Sequence, residues 1–285
     1  MVTNQSKKNQ NFKVQDEAQI ERQFLKGTKD ENIGVFCNIF SAKTAFEGQD
    51  GGVVTALLVK GLEEDLFDAA IVVRRVEGYN AEAAVAQSVG DVAAVKGTKY
   101  LRVNVTAKLR ELISQGKKRI VIVCTPCEAK AARKIQQNLK IDCQIFVIGL
   151  FCFEAFNKAK LKEELDSRLS VDVDQAQKTQ VRNGKFTLQV DGKMYSCKVK
   201  DLDAAAEKAC GFCDDFTSRF ADISVGSVGS KEGYSTVIVR SSVGEKLVQR
   251  LDGEKGAVDK SEVARLAKFK RIRAKKSLNN PKAQA

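Results

Sequence analysis

The stretch Arg119-Ile-Val-Ile-Val-Cys-Thr-Pro-Cys-Glu128 decides the fold class. Its first six residues form an almost unbroken apolar run, which is typical of a strand buried on both faces of a sheet. Thr125 can cap a following helix, Pro126 suits the first helical position, and Glu128 can act as the reciprocal capping partner. We therefore predict a strand followed at once by a helix, which is the repeating step of an α/β layer.

The same alternation of strands and helices extends on both sides of this stretch. After residue 170 the period changes to that of strands, with hairpin turns at Asn183-Gly184 and Asp191-Gly192. The pattern predicts strands at 33–40, 69–73, 119–124, 143–150, 180–182, 185–190, 193–199, 221–225 and 234–240, and helices at 53–66, 105–114, 126–139, 154–169, 201–209, 244–252 and 261–276. We predict an α/β fold with a mixed sheet flanked by helices, an additional β-hairpin region and a C-terminal helical tail.

These patterns divide the chain into three parts. Residues 1–46 form an N-terminal extension, loosely ordered to about residue 30, plus the first strand. Residues 47–254 form the α/β domain, and residues 255–285 form a basic C-terminal helical tail.

Composition narrows the class of protein further. Of the 285 residues 43% are hydrophobic, and no stretch approaches the ~20 apolar residues that a membrane span needs. The polar start of the chain, Met1 to Gln19, lacks the apolar core of a secretory signal. We expect a soluble, cytoplasmic protein that is not an integral membrane protein.

The positive charge is concentrated at the C-terminus. The net charge is +12, and residues 255–285 carry ten Lys and Arg against two acidic residues, a net +8. Such a tail can meet an acidic partner, nucleic acid or a membrane surface, or it can be a solvated helix with a frayed end. Aromatic residues do not interleave with the basic ones, which argues against nucleic acid.

The eight cysteines matter because the chain has no histidine. Without histidine there is no Ser-His or Cys-His nucleophile, and a metal must bind thiolates and oxygens. Cys210-Gly-Phe-Cys213 is a Cys-x-x-Cys pair on a turn, Cys127 opens a helix, and Cys152 follows a strand. By spacing alone these residues could hold an iron–sulfur cluster or zinc, could act as redox dithiols (Cys124–Cys127 included), or could be core residues. We interpret Cys37, Cys143 and Cys197 as core residues.

Two kinds of glycine turn could contact phosphates. Gln49-Asp-Gly-Gly52 precedes a helix, and Gly226-Ser-Val-Gly229 follows a strand, so both could direct backbone N–H groups at an anion. Neither matches a standard nucleotide-binding motif, and such turns are often purely structural. Lys99, in Gly97-Thr-Lys-Tyr100, could contact a flavin or a phosphate, or could be an ordinary surface lysine.

Taken together and in order, the motifs resemble those of one family, the beta subunits of coenzyme F420-reducing hydrogenases and dehydrogenases. The resemblance runs from about residue 47 to 250. Its motifs are Gln49-Asp-Gly-Gly-Val-Val-Thr-Ala-Leu57, Gly97-Thr-Lys-Tyr100, Thr125-Pro-Cys127, Gly149-Leu-Phe-Cys-Phe-Glu154 and the stretch from Cys210 to Arg240, which contains Ala221-Asp-Ile-Ser-Val-Gly-Ser-Val-Gly229.

The resemblance implies an iron–sulfur flavoprotein with FAD and one [4Fe–4S] cluster. Such a protein exchanges hydride with coenzyme F420 through the flavin, with no catalytic side chain, and passes single electrons to another subunit of a hydrogenase or dehydrogenase complex, which could be docked at a membrane. A basic entrance would help to capture coenzyme F420, which carries a phosphate and a glutamate tail. Rival hypotheses are a donor other than coenzyme F420, or a non-catalytic electron-transfer subunit.

The resemblance also implies site residues. The cluster ligands fall on Cys127, Cys152, Cys210 and Cys213, and the flavin-binding region falls on Asp50, Gly51, Gly52, Thr55, Gly97, Thr98, Lys99 and Tyr100. Cys124 stands where family members often have a small residue, so it competes with Cys127 as a ligand, and the Pro-Cys match favours Cys127. Leu101-Arg-Val-Asn104 replaces the serine and asparagine that commonly follow the Gly-Thr-Lys-Tyr turn.

Overall fold

The structure is a computed structural model that describes residues 16–139 and 142–280. Its strands are β1 (Thr28–Asp30), β2 (Gly34–Phe36), β3 (Asn38–Lys43), β4 (Ala69–Arg75), β5 (Ala81–Ala86), β6 (Arg119–Cys124), β7 (Gln144–Leu150), β8 (Lys178–Arg182), β9 (Lys185–Val190), β10 (Lys193–Lys198), β11 (Ile223–Gly226), β12 (Ser235–Val239) and β13 (Glu254–Gly256). Its helices are α1 (16–24), α2 (Val53–Glu63), α3 (Val89–Ala94), α4 (Val105–Ser114), α5 (Pro126–Gln137), α6 (Lys158–Leu169), α7 (Ser242–Val248) and α8 (Lys260–Leu278). Short 3-10 helices lie at Val173–Gln175, Val199–Ala205 and Lys208–Phe212.

Eight strands form one mixed sheet in the order β13-β3-β12-β11-β7-β6-β4-β5. The four central strands β11, β7, β6 and β4 are parallel, and the strands on both sides of them pair in the antiparallel direction. In the β6–β7 pair Cys124 lies opposite Gly149, so the two strands end at the same edge of the sheet. That edge is where the loops carrying Cys127 and Cys152 begin.

Each face of the sheet is covered by helices. On one face α2 and α7 bury a core that includes Leu57, Val121 and Leu247. On the other face α4 and α5 bury a second core that includes Leu109 and Ile122. Successive side chains of β6 point into opposite cores, which explains why its sequence is apolar throughout rather than alternating. This confirms the predicted mixed α/β sheet flanked by helices.

The predicted hairpin region is a separate antiparallel sheet in the order β10-β9-β8. Its turn residues Asn183 and Asp191 have φ of 50° and 49°, which suits the tight turns that the Asn-Gly and Asp-Gly pairs predict. The buried side chains of β9, Phe186 and Leu188, pack in a third core against Leu161 of α6. This sheet also contacts the loops around Asp50 and Tyr100, as described below.

Several predicted elements differ in the structure. The strand expected at 33–40 is divided at Cys37, because β2 pairs with β1 whereas β3 pairs with β12. The helix expected at 201–209 is two 3-10 helices, because Ala206 between them forms a bridge with Phe156. That bridge also keeps residues 154–157 out of α6. The edge strand β5 was missed because its alanine-rich sequence has little strand propensity of its own.

The N-terminal part is more ordered than its sequence predicts. Residues 16–24 are helical, and Thr28–Asp30 pairs with Gly34–Phe36. The prediction of loose order for residues 1–15 falls outside the described part of the chain. Within residues 16–139 and 142–280 no helix has both the length and the hydropathy that crossing a bilayer requires.

Candidate cofactor-binding site

Cys127 and Cys152 lie at the ends of two adjacent parallel strands. Cys127 is in the first turn of α5, which starts with Pro126 and is capped as predicted: the Glu128 carboxylate accepts hydrogen bonds from the backbone N–H and the hydroxyl of Thr125. Cys152 follows β7, and its backbone N–H donates to the Phe216 carbonyl at 2.9 Å. The carboxyl ends of parallel strands collect ligands in α/β proteins, so both thiols stand where a site is expected.

Cys210 and Cys213 come from the 3-10 helix at Lys208–Phe212 and the residue that ends it. The backbone N–H of Ala155, three residues beyond Cys152, donates to the Cys210 sulfur at 3.4 Å. Cys213 Sγ contacts the Asp215 carbonyl oxygen at 3.6 Å. The segments that carry Cys152 and Cys210 therefore lie against each other, although 58 residues separate them in the sequence.

The thiols interact electrostatically. Burial raises the pKa of Cys152 to about 12; the charge of Lys270 opposes this rise, and Cys210, Cys127 and Cys213 add to it. Although the Cys127 residue is exposed as a whole, desolvation of its thiol by neighbouring groups raises its pKa, with Cys213 and Cys210 contributing. The pKa of Cys210 is raised by burial and also by Cys213. Burial and mutual repulsion thus disfavour the thiolate forms of Cys127, Cys152 and Cys210 in the absence of a compensating positive charge.

No group of three or more Cys, Asp or Glu side chains in residues 16–139 and 142–280 is placed to hold a single metal ion. A [4Fe–4S] cluster takes one thiolate at each of four irons, so its ligands stand farther apart than those of one ion. A cavity of about 240 Å³ opens beside Cys127 and Cys213, with Lys130 and Arg219 in its wall. This cavity borders two of the four thiols, and its occupation by a cluster stays a prediction.

Cys124 has a different environment from these four. It is the last residue of β6, 3% exposed, and its side chain packs in the core beneath α4 and α5. Burial raises its pKa well above the usual value. Cys37, Cys143 and Cys197 are partly buried and also pack against the hydrophobic cores. These surroundings support Cys127 over Cys124 as a ligand.

The glycine turn before α2 is tightly constrained by backbone. Gly52 has φ of 69°, and a Cβ on it would lie 1.9 Å from the Phe46 carbonyl oxygen. A Cβ on Gly51 would lie 2.2 Å from the Ala42 carbonyl oxygen. No side chain caps α2, so the N–H groups of its first turn remain available to an anion. The two glycines are therefore required by the backbone of this turn. The turn still leaves N–H groups of α2 that could bind an anion.

The structure brings the second predicted loop against this turn. Thr98 N–H donates to Gln49 Oε1 at 3.1 Å, and Gln49 Nε2 donates to the Thr179 carbonyl of β8. The Tyr100 hydroxyl accepts a hydrogen bond from Val181 N–H at 2.8 Å, and burial raises the pKa of this tyrosine. Gln49 thus joins both loops to the hairpin sheet, a role that was not predicted from the sequence.

Lys99 is partly buried. Its ammonium group donates to the carbonyl oxygens of Val95, Lys96 and Gly97 within its own loop. Burial and the charge of Arg75 lower its pKa to about 8. Lys99 is thus held by its own loop, and its contact with a flavin or a phosphate stays a prediction.

Asp50 and Thr55 border the same region. Asp50 pairs with Arg182 of β8 at 3.2 Å, although burial raises the pKa of its carboxyl. The Thr55 hydroxyl donates to the Glu47 carbonyl. Seven of the eight residues predicted for the flavin region lie on two loops joined by Gln49, and Thr55 lies in the first turn of α2. A second cavity, of about 450 Å³ and lined by Arg168 and Lys198 among others, contains none of the predicted site residues.

Two family models match the chain. A model of the N-terminal part of the coenzyme F420 hydrogenase/dehydrogenase beta subunit matches residues 39–130, and a model of its C-terminal part matches residues 117–264. The chain belongs to the family of coenzyme F420 hydrogenase/dehydrogenase beta subunits. The two matches together span both predicted loops and all four of the cysteines discussed above.

Curated members of the family show how far the similarity extends. This chain is 37% identical over 200 residues to one of the subunits of the F(420)H(2) dehydrogenase of Methanosarcina mazei, covering 70% of this chain and 57% of that one. It is 32% identical over 255 residues to coenzyme F420-dependent sulfite reductase of Methanocaldococcus jannaschii, covering 84% and 40% respectively. It is 33% identical over 211 residues to the beta subunit of coenzyme F420 hydrogenase of Methanococcus voltae, covering 72% and 75%. The chain thus spans about half the length of the first two relatives.

A solved structure resembles the whole described fold. It is a chain of the F420-reducing [NiFe] hydrogenase complex from Methanosarcina barkeri, with a TM-score of 0.84 and 27% sequence identity. The superposition covers 90% of this chain and 96% of the other. The two chains therefore share most of their fold.

Proposed function

We propose that this chain is a coenzyme F420-dependent oxidoreductase subunit that passes hydride between coenzyme F420 and FAD, and single electrons through one [4Fe–4S] cluster to a partner subunit. The observation that carries the proposal is the convergence of Cys127, Cys152, Cys210 and Cys213, from three separate segments, in a chain of this family. The names of the relatives, which include a hydrogenase and a dehydrogenase subunit, support coenzyme F420 as the substrate.

When bound, FAD would supply two-electron exchange with coenzyme F420 and one-electron exchange with the cluster, which carries single electrons. The chain's own residues would position the groups that bind these cofactors. Pro126 starts the helix that presents Cys127 at its N-terminus, where the helix dipole favours a thiolate. The Ala155 N–H donates to the Cys210 sulfur, and a hydrogen bond of this kind stabilises the charged form of the ligand.

The two joined loops would hold the flavin. Asp50, Gly51, Gly52 and Thr55 lie at the uncapped start of α2, which suits a diphosphate. The segment Gly97–Tyr100 lies beside them through the Thr98–Gln49 hydrogen bond. Because hydride transfer needs close contact of two rings and no proton-transferring side chain, these residues would act by positioning, which agrees with the absence of histidine.

The deciding experiment is anaerobic addition of reduced coenzyme F420 to the purified chain, after its iron, sulfide and flavin have been quantified. We expect one cluster and one flavin per chain and bleaching of the flavin spectrum. A fully loaded flavin that does not bleach would contradict coenzyme F420 as the donor and favour another donor. A cluster without bound flavin would favour an electron-transfer subunit that does not bind the substrate.

A further inference from the structure

The C-terminal helix α8 packs directly on the candidate cluster site. Val263, Ala267, Lys270 and Ala274 form its buried side. Lys270 is only 1% exposed, and its ammonium donates to the Cys152 carbonyl oxygen at 2.5 Å. A lysine on the apolar side of a helix is unusual, because burying an ammonium group costs free energy unless an opposite charge compensates it.

No carboxylate within the described ranges 16–139 and 142–280 pairs with Lys270. Its ammonium lies instead at the backbone carbonyl of Cys152, a proposed cluster ligand. If residue 270 only filled space in the core, an apolar residue would suit this position. The helix has such residues at Ala267 and Ala274. The buried charge therefore indicates a negatively charged group at the thiols.

Arg273, one turn farther along α8, binds the same two segments. Its guanidinium donates to the Cys210 carbonyl at 3.2 Å, to the Phe153 carbonyl at 2.9 Å and to the Glu154 carboxylate at 2.6 Å. Glu154 compensates the charge of Arg273, whereas Lys270 has no such partner. Arg273 is thus a structural clamp across the two cysteine segments, and Lys270 supplies the uncompensated charge.

We propose that Lys270 is a positioning and tuning residue of the cluster, holding the Cys152 backbone and raising the reduction potential of the cluster. The proposal rests on the proposed function, because it requires the cluster. On reduction the site gains one electron, donated by the reduced flavin, and its negative charge rises by one. A fixed positive charge nearby favours the reduced form, and the charge and hydrogen bonding around a cluster are known determinants of its potential.

The test is a redox titration of the cluster, followed by electron paramagnetic resonance, in the full chain with its flavin bound. In Lys270→Met the ratio of reduced to oxidised cluster at the wild-type midpoint should fall about tenfold, a shift of about 59 mV for one electron. Lys270→Arg, which keeps the charge, should restore the wild-type potential. Lys268→Met removes one exposed charge from the same helix and should change the ratio far less.

Each outcome decides the proposal. An unchanged potential in Lys270→Met with full iron, or an equal shift in Lys268→Met, would overturn it. If Lys270→Met loses its iron, retention of iron and of the wild-type potential in Lys270→Arg supports a role for the charge, and loss of iron in both variants overturns it. Absence of iron from the wild-type protein would instead contradict the proposed function.

Discussion

Cys124 and Cys127 are three residues apart, but their surroundings differ completely. Cys124 ends β6 and packs in the core, whereas Cys127 is exposed in the first turn of α5, beside the cavity and within the electrostatic reach of Cys210 and Cys213. The difference follows from the change from strand to helix between them, which redirects the chain at Pro126.

We expect alanine substitutions of Cys124 and Cys127 to show which cysteine binds the cluster and which one only stabilises the fold. Cys127→Ala should lose most of the bound iron with little change in stability, because its side chain is exposed. Cys124→Ala should keep its iron but lower the free energy of unfolding by about 1 kcal/mol, because it leaves a small cavity. Iron quantification and denaturant titration measure both effects. Loss of iron in Cys124→Ala alone would reverse the assignment.

Lys99 allows a prediction of pH dependence. Its pKa is lowered from 10.5 to about 8 in the folded chain, so between these values the unfolded chain binds more protons. The contribution of Lys99 to stability should therefore rise with pH across this window, by at most about 1.4 kcal/mol per pH unit. Below pH 8 the lysine is charged in both states, and its contribution should not vary.

Denaturant titrations of the wild type and Lys99→Met from pH 7 to 10 measure this effect. The free energy of unfolding of the wild type should rise relative to that of Lys99→Met above pH 8. Lys185→Met, which removes an exposed lysine from β9, serves as the control. Parallel stability curves for the wild type and Lys99→Met would show that the lysine keeps its ordinary titration.

At the scale of elements, the turn before α2 combines two constraints that can be measured separately. Gly52 has a positive φ and also touches the Phe46 carbonyl, whereas Gly184, in the hairpin between β8 and β9, has φ of 71° and no atom within 4 Å of its Cβ position. The two glycines share the same backbone requirement and differ in the space around them.

Gly184→Ala should therefore lower the free energy of unfolding by about 1–2 kcal/mol, the cost of left-handed backbone for a residue with a Cβ. Gly52→Ala should cost about 1–3 kcal/mol more, because the turn must also move away from Phe46. It should weaken flavin binding as well. Denaturant titration and flavin quantification of both variants measure these effects, and equal stability losses would show that the contact with Phe46 is relieved without cost.

At the scale of the whole molecule, the candidate cluster site joins parts of the chain that are far apart in sequence. The end of β6, the segment after β7, the 3-10 helix at Lys208–Phe212 and α8 all meet there. Hydrogen bonds link these segments, but the thiols repel one another when charged. We expect the cluster to stabilise this junction when it is bound.

Removal of iron should therefore increase amide hydrogen exchange in α8 and in residues 208–217, while the β4–β6–β7 ladder remains protected by its own two cores. Hydrogen-exchange mass spectrometry before and after removal of iron measures this, with the hairpin sheet as an internal control. Equal loss of protection across the central sheet would mean that the cluster stabilises the whole fold.

How much could be predicted from the sequence varies with scale. The strand Arg119–Cys124 and the capped start of α5 followed from local apolar runs and turn residues, because such elements depend on neighbouring residues alone. The strand β5 could not be predicted, since its pairing with β4 and not its composition makes it a strand. The interruption of the predicted helix at Ala206 likewise depends on the β-bridge that Ala206 forms with Phe156, fifty residues away.

The sequence by itself determined the class of fold and the family, and it predicted four cysteine ligands, because motifs and hydrophobic period are properties of short stretches. Only the tertiary structure decided how these pieces meet. It placed Cys124 in the core and Cys127 beside Cys213, used Gln49 to join two loops, and buried Lys270 against Cys152. Helical spacing does place Lys270 on one side with Val263, Ala267 and Ala274. The group that this side faces is set by long-range packing, which no local pattern contains.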